Sequence, residues 1–279
     1  MLSPDQQRRY REDGYLLLPG FKPAAAIAAL RRRAHEIVEA FQPEHGSGVF
    51  TTREQGADAW FLGSAERVRC FFEEDAFDAA GRLQQPKALS INKIGHALHE
   101  IDPVFRAFSH GTDWAELAAD LGLARPQLWQ SMFIFKQPGI GGEVRWHQDA
   151  TFLHSEPITV TGFWIALEEA TVDNGCLWVA HGGHRGPLRQ RFVREGDAVR
   201  MVALDDAPWP RREDAVPLEV AAGTLVCFHG LLPHYSAPNR SPHSRHAYTL
   251  HAVDGHSRWS RDNWLQRTAV PRGFEIVPD

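Results

Sequence analysis

Apolar residues recur at three- and four-residue spacing in the first part of the chain, and at shorter, alternating spacing from about residue 127 onward. In the first part Ile27, Leu30, Ala34, Ile37, Val38 and Phe41 share one face of a helix of about 18 residues, with Pro23 suited to its first position. A second helix is predicted to start near Asp113, with Glu116 three residues on as a capping-box partner, and to stop at Gly122. Residues 43–58 have no periodicity and read as a loop.

The later pattern is that of short strands. LWQSMFIFKQ, VRWHQDAT, TVTGFWIALE, CLWVA, PLEVA, TLVCFH and HAYTLHAV are rich in aromatic and β-branched residues. Asp173-Asn174-Gly175, His181-Gly182-Gly183 and Ala222-Gly223 supply turns between them. The expected architecture is mainly β, a sandwich or barrel with helices in front. The Pro-rich, charged stretch 205–217 reads as a loop between strands, because strand-like segments continue on both sides. No internal repeat is visible. One domain over residues 1–279 is expected, with a helical part at about 1–125 and a β core at about 127–255.

Composition narrows the function classes. A chain of 279 residues can bury a sizeable core. Its net charge of −5, without a block of basic residues, argues against nucleic acid as a partner. Cys70, Cys176 and Cys227 are far apart and form no C-x-x-C, which argues against a disulfide framework and a structural zinc site and suits a reducing cytosol. The opening MLSPDQQRRYREDGYLLLPGF does not read as a signal peptide, no apolar run approaches a membrane span, and the final VPD is not a peroxisomal address. The expectation is a cytoplasmic protein, monomeric or weakly self-associating, acting on a small molecule and not on a membrane.

Candidate chemistry begins at RWHQDATFLH, residues 145–154. On a strand, residues two apart share a face, so His147 and Asp149 could converge on one metal ion. Chance alone supplies about one His-x-Asp triplet in a chain of this composition, and a buried histidine bonded to a carboxylate explains the pair equally well. Non-haem iron in oxygenases takes two histidines and one carboxylate on one face, so a third ligand is needed. His234 is the strongest candidate, with His229, His243 and His246 as competitors. Arg245 follows eleven residues later and suits the far carboxylate of a dicarboxylate cosubstrate, although a surface ion pair is the plainer role. Lys93, in the apolar strand SINKI, needs an anionic partner if buried. Met132 and Trp164 read as core residues, and His181 and His184 form an H-x-x-H that superficially suggests zinc.

The ordered blocks DGYLLLPGF, SINKIGHALH, SMFIFKQPGIGGEVRWHQDATFL, GFWIALEEATVDNGCLWV, SRHAYTLH and NWLQ resemble the phytanoyl-CoA dioxygenase family, over nearly the whole chain. The resemblance implies a double-stranded β-helix (jelly-roll, cupin-like) core flanked by helices. It further implies a dioxygenase using iron(II), 2-oxoglutarate and O2, with ascorbate as a reductant, that hydroxylates a small molecule and releases succinate and CO2. It makes His147, Asp149 and His234 the iron ligands and Arg245 the clamp on 2-oxoglutarate, with Ser236 beside it. Lys93, Met132, Gln148 and Trp164 would line the cosubstrate pocket, and Gln130, Trp146 and Phe152 are candidates for the substrate wall. With Asp149 in the carboxylate position, halide has no vacant ligand site. One departure is His181-Gly182-Gly183-His184, where the family commonly has Pro-Gly-Ser-His. Two other readings are a non-catalytic sensor or scaffold that binds metal and 2-oxoglutarate, and a zinc hydrolase or isomerase.

Overall fold

The structure, a computed structural model, describes residues 1–50, 59–196 and 198–275. Its strands in chain order begin with β1 (Tyr15–Leu18), β2 (Val49–Phe50), β3 (Val68–Glu73), β4 (Ile91–His96) and β5 (Pro126–Ile134). β6 (Val144–His147), β7 (Ser155–Glu156), β8 (Thr161–Ala166), β9 (Leu177–Val179), β10 (Gln190–Glu195) and β11 (Ala198–Ala203) follow. The last are β12 (Val216–Leu218), β13 (Leu225–His229), β14 (His234–Ser236), β15 (Ala247–Asp254) and β16 (Arg258–Trp259). Helices are α1 (Pro4–Asp13), α2 (Ala24–Ala40), α3 (Ala59–Leu62), α4 (Leu98–Ile101), α5 (Pro103–Ser109) and α6 (Thr112–Asp120).

An eight-stranded sheet runs β1-β13-β8-β15-β5-β4-β3-β2, and a four-stranded sheet runs β12-β9-β14-β6. Side chains alternate between the faces of the larger sheet, and the two faces meet different partners. Phe133, Phe163, Ile165, Tyr248 and Leu250 point outward and pack with Ile27, Leu30, Ala34 and Val38 of α2. Trp164, Ala166, Val226, Phe228 and Ala247 point inward and pack with Leu177, Val179 and Leu218 of the smaller sheet. Two sheets closed over a shared interior make the expected jelly-roll, the double-stranded β-helix, with the helices outside. Each fully buried large apolar side chain contributes roughly 1.5–3 kcal/mol to that packing.

The helical reading of the first 125 residues needs correcting. β1 to β4 supply four of the eight strands of the large sheet. β1 and β2 are only four and two residues long, and β3 and β4 are largely buried on both sides, so none carries a clean alternation. α1 carries a full capping box between Ser3 and Gln6 and stops at Gly14, whose φ of 84° suits only glycine well. α2 starts one residue after Pro23, which is extended and lies just outside the helix. α6 starts at Thr112 from a Gly111 cap that has no side-chain bond, so Asp113 already lies inside the helix and Glu116 closes no capping box. The loop predicted over 43–58 contains a turn at Pro43–His45 and the strand β2, while 51–58 lie outside the described residues. The loop predicted over 205–217 is irregular to residue 211, tightens into a turn at Arg212–Asp214, and gives way to β12 at Val216. Among the described residues no helix is long and apolar enough to cross a membrane.

Candidate active site

His147 ends β6 and His234 begins β14, and the two residues are direct partners in the antiparallel register of the smaller sheet. A bulge follows: three residues of β14 span four of β6 from His234↔His147 to Ser236↔Val144. Bulges next to sites of this kind re-aim side chains. The imidazole centroids are 4.1 Å apart. Each ring is oriented by its own strand, since His147 Nδ1 lies 2.8 Å from the Arg145 carbonyl and His234 Nδ1 lies 3.0 Å from that of Leu232. A carbonyl can only accept, so both Nδ1 atoms carry the proton and both Nε2 atoms keep a lone pair.

Asp149 does not continue the strand. β6 stops at His147 and Asp149 opens a 3-10 turn, Asp149–Thr151, which corrects the expectation that the pair lies together on one strand. The turn still brings Asp149 Oδ1 to 3.8 Å from His147 Nε2 and 3.6 Å from His234 Nε2. One ligand atom from each of the three residues lies within 4.8 Å of the others, so this donor set could hold a metal ion. Burial pushes the Asp149 carboxyl up, but His251, His234 and His147 outweigh it and hold the carboxyl well below the usual carboxylate range. Burial, reinforced by His234, pushes His147 down to about 3. At neutral pH both groups are therefore deprotonated, as metal ligands must be.

The three residues line a cavity of about 760 Å³ between the sheets. Arg245, just before β15, is 1% exposed. Its Nε donates to the Gly175 carbonyl at 3.1 Å and one terminal nitrogen reaches Ser236 Oγ at 3.4 Å. Ser236 Oγ in turn donates to Gly175 at 2.8 Å. The other terminal nitrogen, Nη1, is buried without a partner among the described residues. The guanidinium lies 5.2 Å from the Trp164 ring, and burial pushes its pKa down to about 10. Lys93 is buried with its ammonium over the Phe50 ring, and burial, partly offset by Glu73, pushes it down to about 7. Met132 of β5 and Trp164 of β8, on either side of β15, line the same space, as do Gln130, Trp146 and Phe152.

Gln148 sits elsewhere. It is fully buried, its amide nitrogen donates to the Pro187 and Leu231 carbonyls, and its oxygen accepts from the Arg189 amide. With all three bonds spent on loop backbone, it ties segments together and is not among the cavity-lining residues. The competing histidines also have other occupations. His229 Nδ1 accepts from the Leu231 amide, His246 lies 3.6 Å from Glu168, and His243 is exposed. His181 and His184 both grip the end of α1, through Asp13 at 3.3 Å and the Arg11 carbonyl at 3.0 Å.

Two groups of residues in or just behind the cavity wall escaped the sequence reading. Lys136 is buried at φ 44°, donates to the Gly142 carbonyl at 2.6 Å, and is pushed well below the usual lysine range by burial and by Arg245. Buried Glu73, whose pKa burial raises, bonds Asn92 and the Gly142 amide. No local motif marks this cluster. His251 was legible in principle: it lies six residues after Arg245, so strand alternation puts it on the same inward face. Its Nε2 is 3.2 Å from Asp149 Oδ2.

Comparison with known proteins agrees with this architecture. The family profile described as Phytanoyl-CoA dioxygenase (PhyH) matches residues 10–247. A phytanoyl-CoA dioxygenase of Arabidopsis thaliana is 44% identical over 282 residues, covering 99% of this chain and 98% of its own. Phytanoyl-CoA dioxygenase domain-containing protein 1 of Bos taurus is 45% identical over 278 residues, with 96% of each chain covered. The crystal structure of EctD from S. alaskensis with bound Fe shares the fold, with a TM-score of 0.67 at 19% identity over 99% of this chain and 87% of that one. On the extent of the profile match and of these relatives, the chain belongs to the phytanoyl-CoA dioxygenase family.

Proposed function

We propose that this chain is an iron(II)- and 2-oxoglutarate-dependent dioxygenase that hydroxylates a C–H bond of a small molecule. The observation that supports it most strongly is one cavity lined both by a His-Asp-His donor set and by a buried guanidinium with a nitrogen that finds no partner among the described residues. An unpaired buried cation is costly, and a dicarboxylate with one end on the metal would supply the missing anion at the other. Relatives in fold were crystallised with Fe, and with 2-oxoglutarate and 5-hydroxyectoine.

In this reading His147, Asp149 and His234 hold the iron. The two imidazoles present Nε2 because the Arg145 and Leu232 carbonyls occupy Nδ1, and Asp149 stays anionic through its histidine neighbours. Arg245, steadied by Gly175 and Ser236, takes the distal carboxylate of 2-oxoglutarate. Lys93 adds positive charge on the same side, while Met132 and Trp164 confine the cosubstrate. Iron(II) with 2-oxoglutarate and O2 supplies the oxidising chemistry, yielding succinate, CO2 and a hydroxylated product. Trp146, stacked on Tyr235, and Phe152, edge-on to His147, form an apolar wall that keeps water from the substrate side. Purified protein supplied with iron(II), ascorbate and 2-oxoglutarate should form succinate, and Asp149→Ala should reduce it to background. Metal-loaded protein that makes no succinate with any of a broad panel of small-molecule substrates would overturn the assignment.

A further inference from the structure

His251 has no place in the site as described, yet its position is specific. It belongs to β15, opposite Gly162 of β8 and Gln130 of β5. The β15–β5 ladder shifts immediately after it, with two residues of β15 spanning three of β5 between His251↔Gln130 and Ala252↔Leu128. This bulge turns the strand at the point where His251 meets the carboxylate. Only 5% of the residue is exposed, and its Nε2 lies 3.2 Å from Asp149 Oδ2. The other carboxylate oxygen, Oδ1, is the one that faces His147 and His234. The two oxygens of Asp149 are thus divided between two sets of histidines.

The strand beside His251 is built to accommodate this division. A Cβ on Gly162 would lie 2.8 Å from Asp149 Oδ2 and 2.5 Å from the Phe228 ring, so any side chain there would press on the oxygen that His251 approaches. His251 Nδ1 is buried without a partner among the described residues. An unpartnered acceptor is tolerated more readily than an unpartnered N–H, which favours the tautomer with the proton on Nε2, directed at Asp149.

We infer that His251 is a positioning residue that holds Asp149 Oδ2 away from the metal, so that the carboxylate presents Oδ1 alone. This rests on the proposed metal role of His147, Asp149 and His234. A one-oxygen ligand leaves one more position open on the ion than a chelating carboxylate does. An oxygenase that must bind a chelating cosubstrate and O2 requires that position.

The test uses Co(II) as a spectroscopic probe, titrated into metal-free protein and followed by its visible bands. Wild type should bind one Co(II) per chain. His251→Leu, which cannot donate, should lose on the order of 10- to 100-fold in Co(II) affinity and shift the bands, as losing a hydrogen-bond partner of a ligand does. His251→Gln, which can reach Asp149 with an N–H, should recover most of both. His251→Asn, which is shorter, should not, and this pair decides the matter if the leucine variant fails to fold. Wild-type affinity and spectrum in all three variants would overturn the positioning role while leaving the metal site standing. Failure of the wild type to bind Co(II) would overturn the metal site itself, and the role of His251 with it.

Discussion

The two faces of the eight-stranded sheet are made by the same strands and obey different rules. On β15, Tyr248 and Leu250 face outward into a core shared with α2, while Thr249 and His251 face inward to the cavity. On β5, Phe133 faces outward and Gln130 and Met132 face inward. Polar groups on the outward face are fewer and only partly matched: Tyr10 Oη and His246 Nδ1 find no hydrogen-bond partner among the described residues. Tyr248 meets Ser109 Oγ at 2.8 Å, although burial raises its hydroxyl pKa above the usual tyrosine range. The inward face keeps polar atoms without partners among the described residues, including Arg245 Nη1 and His251 Nδ1. It also carries three buried cations, Lys93, Lys136 and Arg245. One face stabilises the fold, and the other sacrifices stability to remain able to bind.

The contrast is open to direct challenge. On the inward face, Arg245→Met should raise the 2-oxoglutarate concentration needed for half-maximal succinate formation by on the order of 100-fold or more, as losing one partner of a buried charge pair does. The same variant should unfold no more readily than wild type in urea, because the unliganded guanidinium lacks a carboxylate. A strong loss of stability would mean that Arg245 is part of the framework. On the outward face, Leu250→Ala should cost about 2–5 kcal/mol in urea unfolding while the folded fraction keeps its 2-oxoglutarate dependence. If binding were lost in step with stability, the separation of the faces would fail.

A smaller effect concerns Lys93. Its folded-state pKa of about 7 lies below the ordinary lysine value of 10.5. Between those values the unfolded chain holds more protons, so this group makes the wild type gain stability as pH rises from about 7 toward 10.5. Its cost is greatest below about pH 7, where the buried ammonium is charged. Lys93→Met should accordingly raise the melting temperature most at pH 6, with the gain shrinking toward pH 10, while weakening 2-oxoglutarate. A pH-independent difference would place the lysine in water rather than in the cavity.

The smallest effect is expected at Gly162. Gly162→Ala must displace Asp149 or Phe228, and a several-fold loss of Co(II) affinity should exceed any change in the affinity for 2-oxoglutarate by protein already loaded with metal. Equal losses would indicate general loosening of β8.

The strands after residue 127 and the α2 helix were readable because each has a repeating pattern with one buried face. The apolar segment SINKI was read as a strand and is β4, but β1 to β3 were missed: β1 and β2 are too short to show a period, and β3 is too buried to show a polar face. The strand alternation that put Arg245 inward also put His251 there, and that signal was available six residues on. Gln148 misled, because the chain leaves β6 after His147 and the side chain turns to the Pro187 and Leu231 carbonyls.

The order of residues along the chain determined the jelly-roll class, the family, and the candidates His147, Asp149, His234 and Arg245. These follow from periodicity and from motif blocks, both of which are local properties. Tertiary structure alone decided that His147 and His234 are register partners, that Asp149 belongs to a turn, and that His251 stands behind it. It also decided that Lys136 lines the cavity and that Glu73 stands behind it, bonded to Asn92 and Gly142 of its wall. Those facts depend on which strands pair, at what register, and where a bulge intervenes. A one-residue slip in any of them would turn the same side chain to the opposite face.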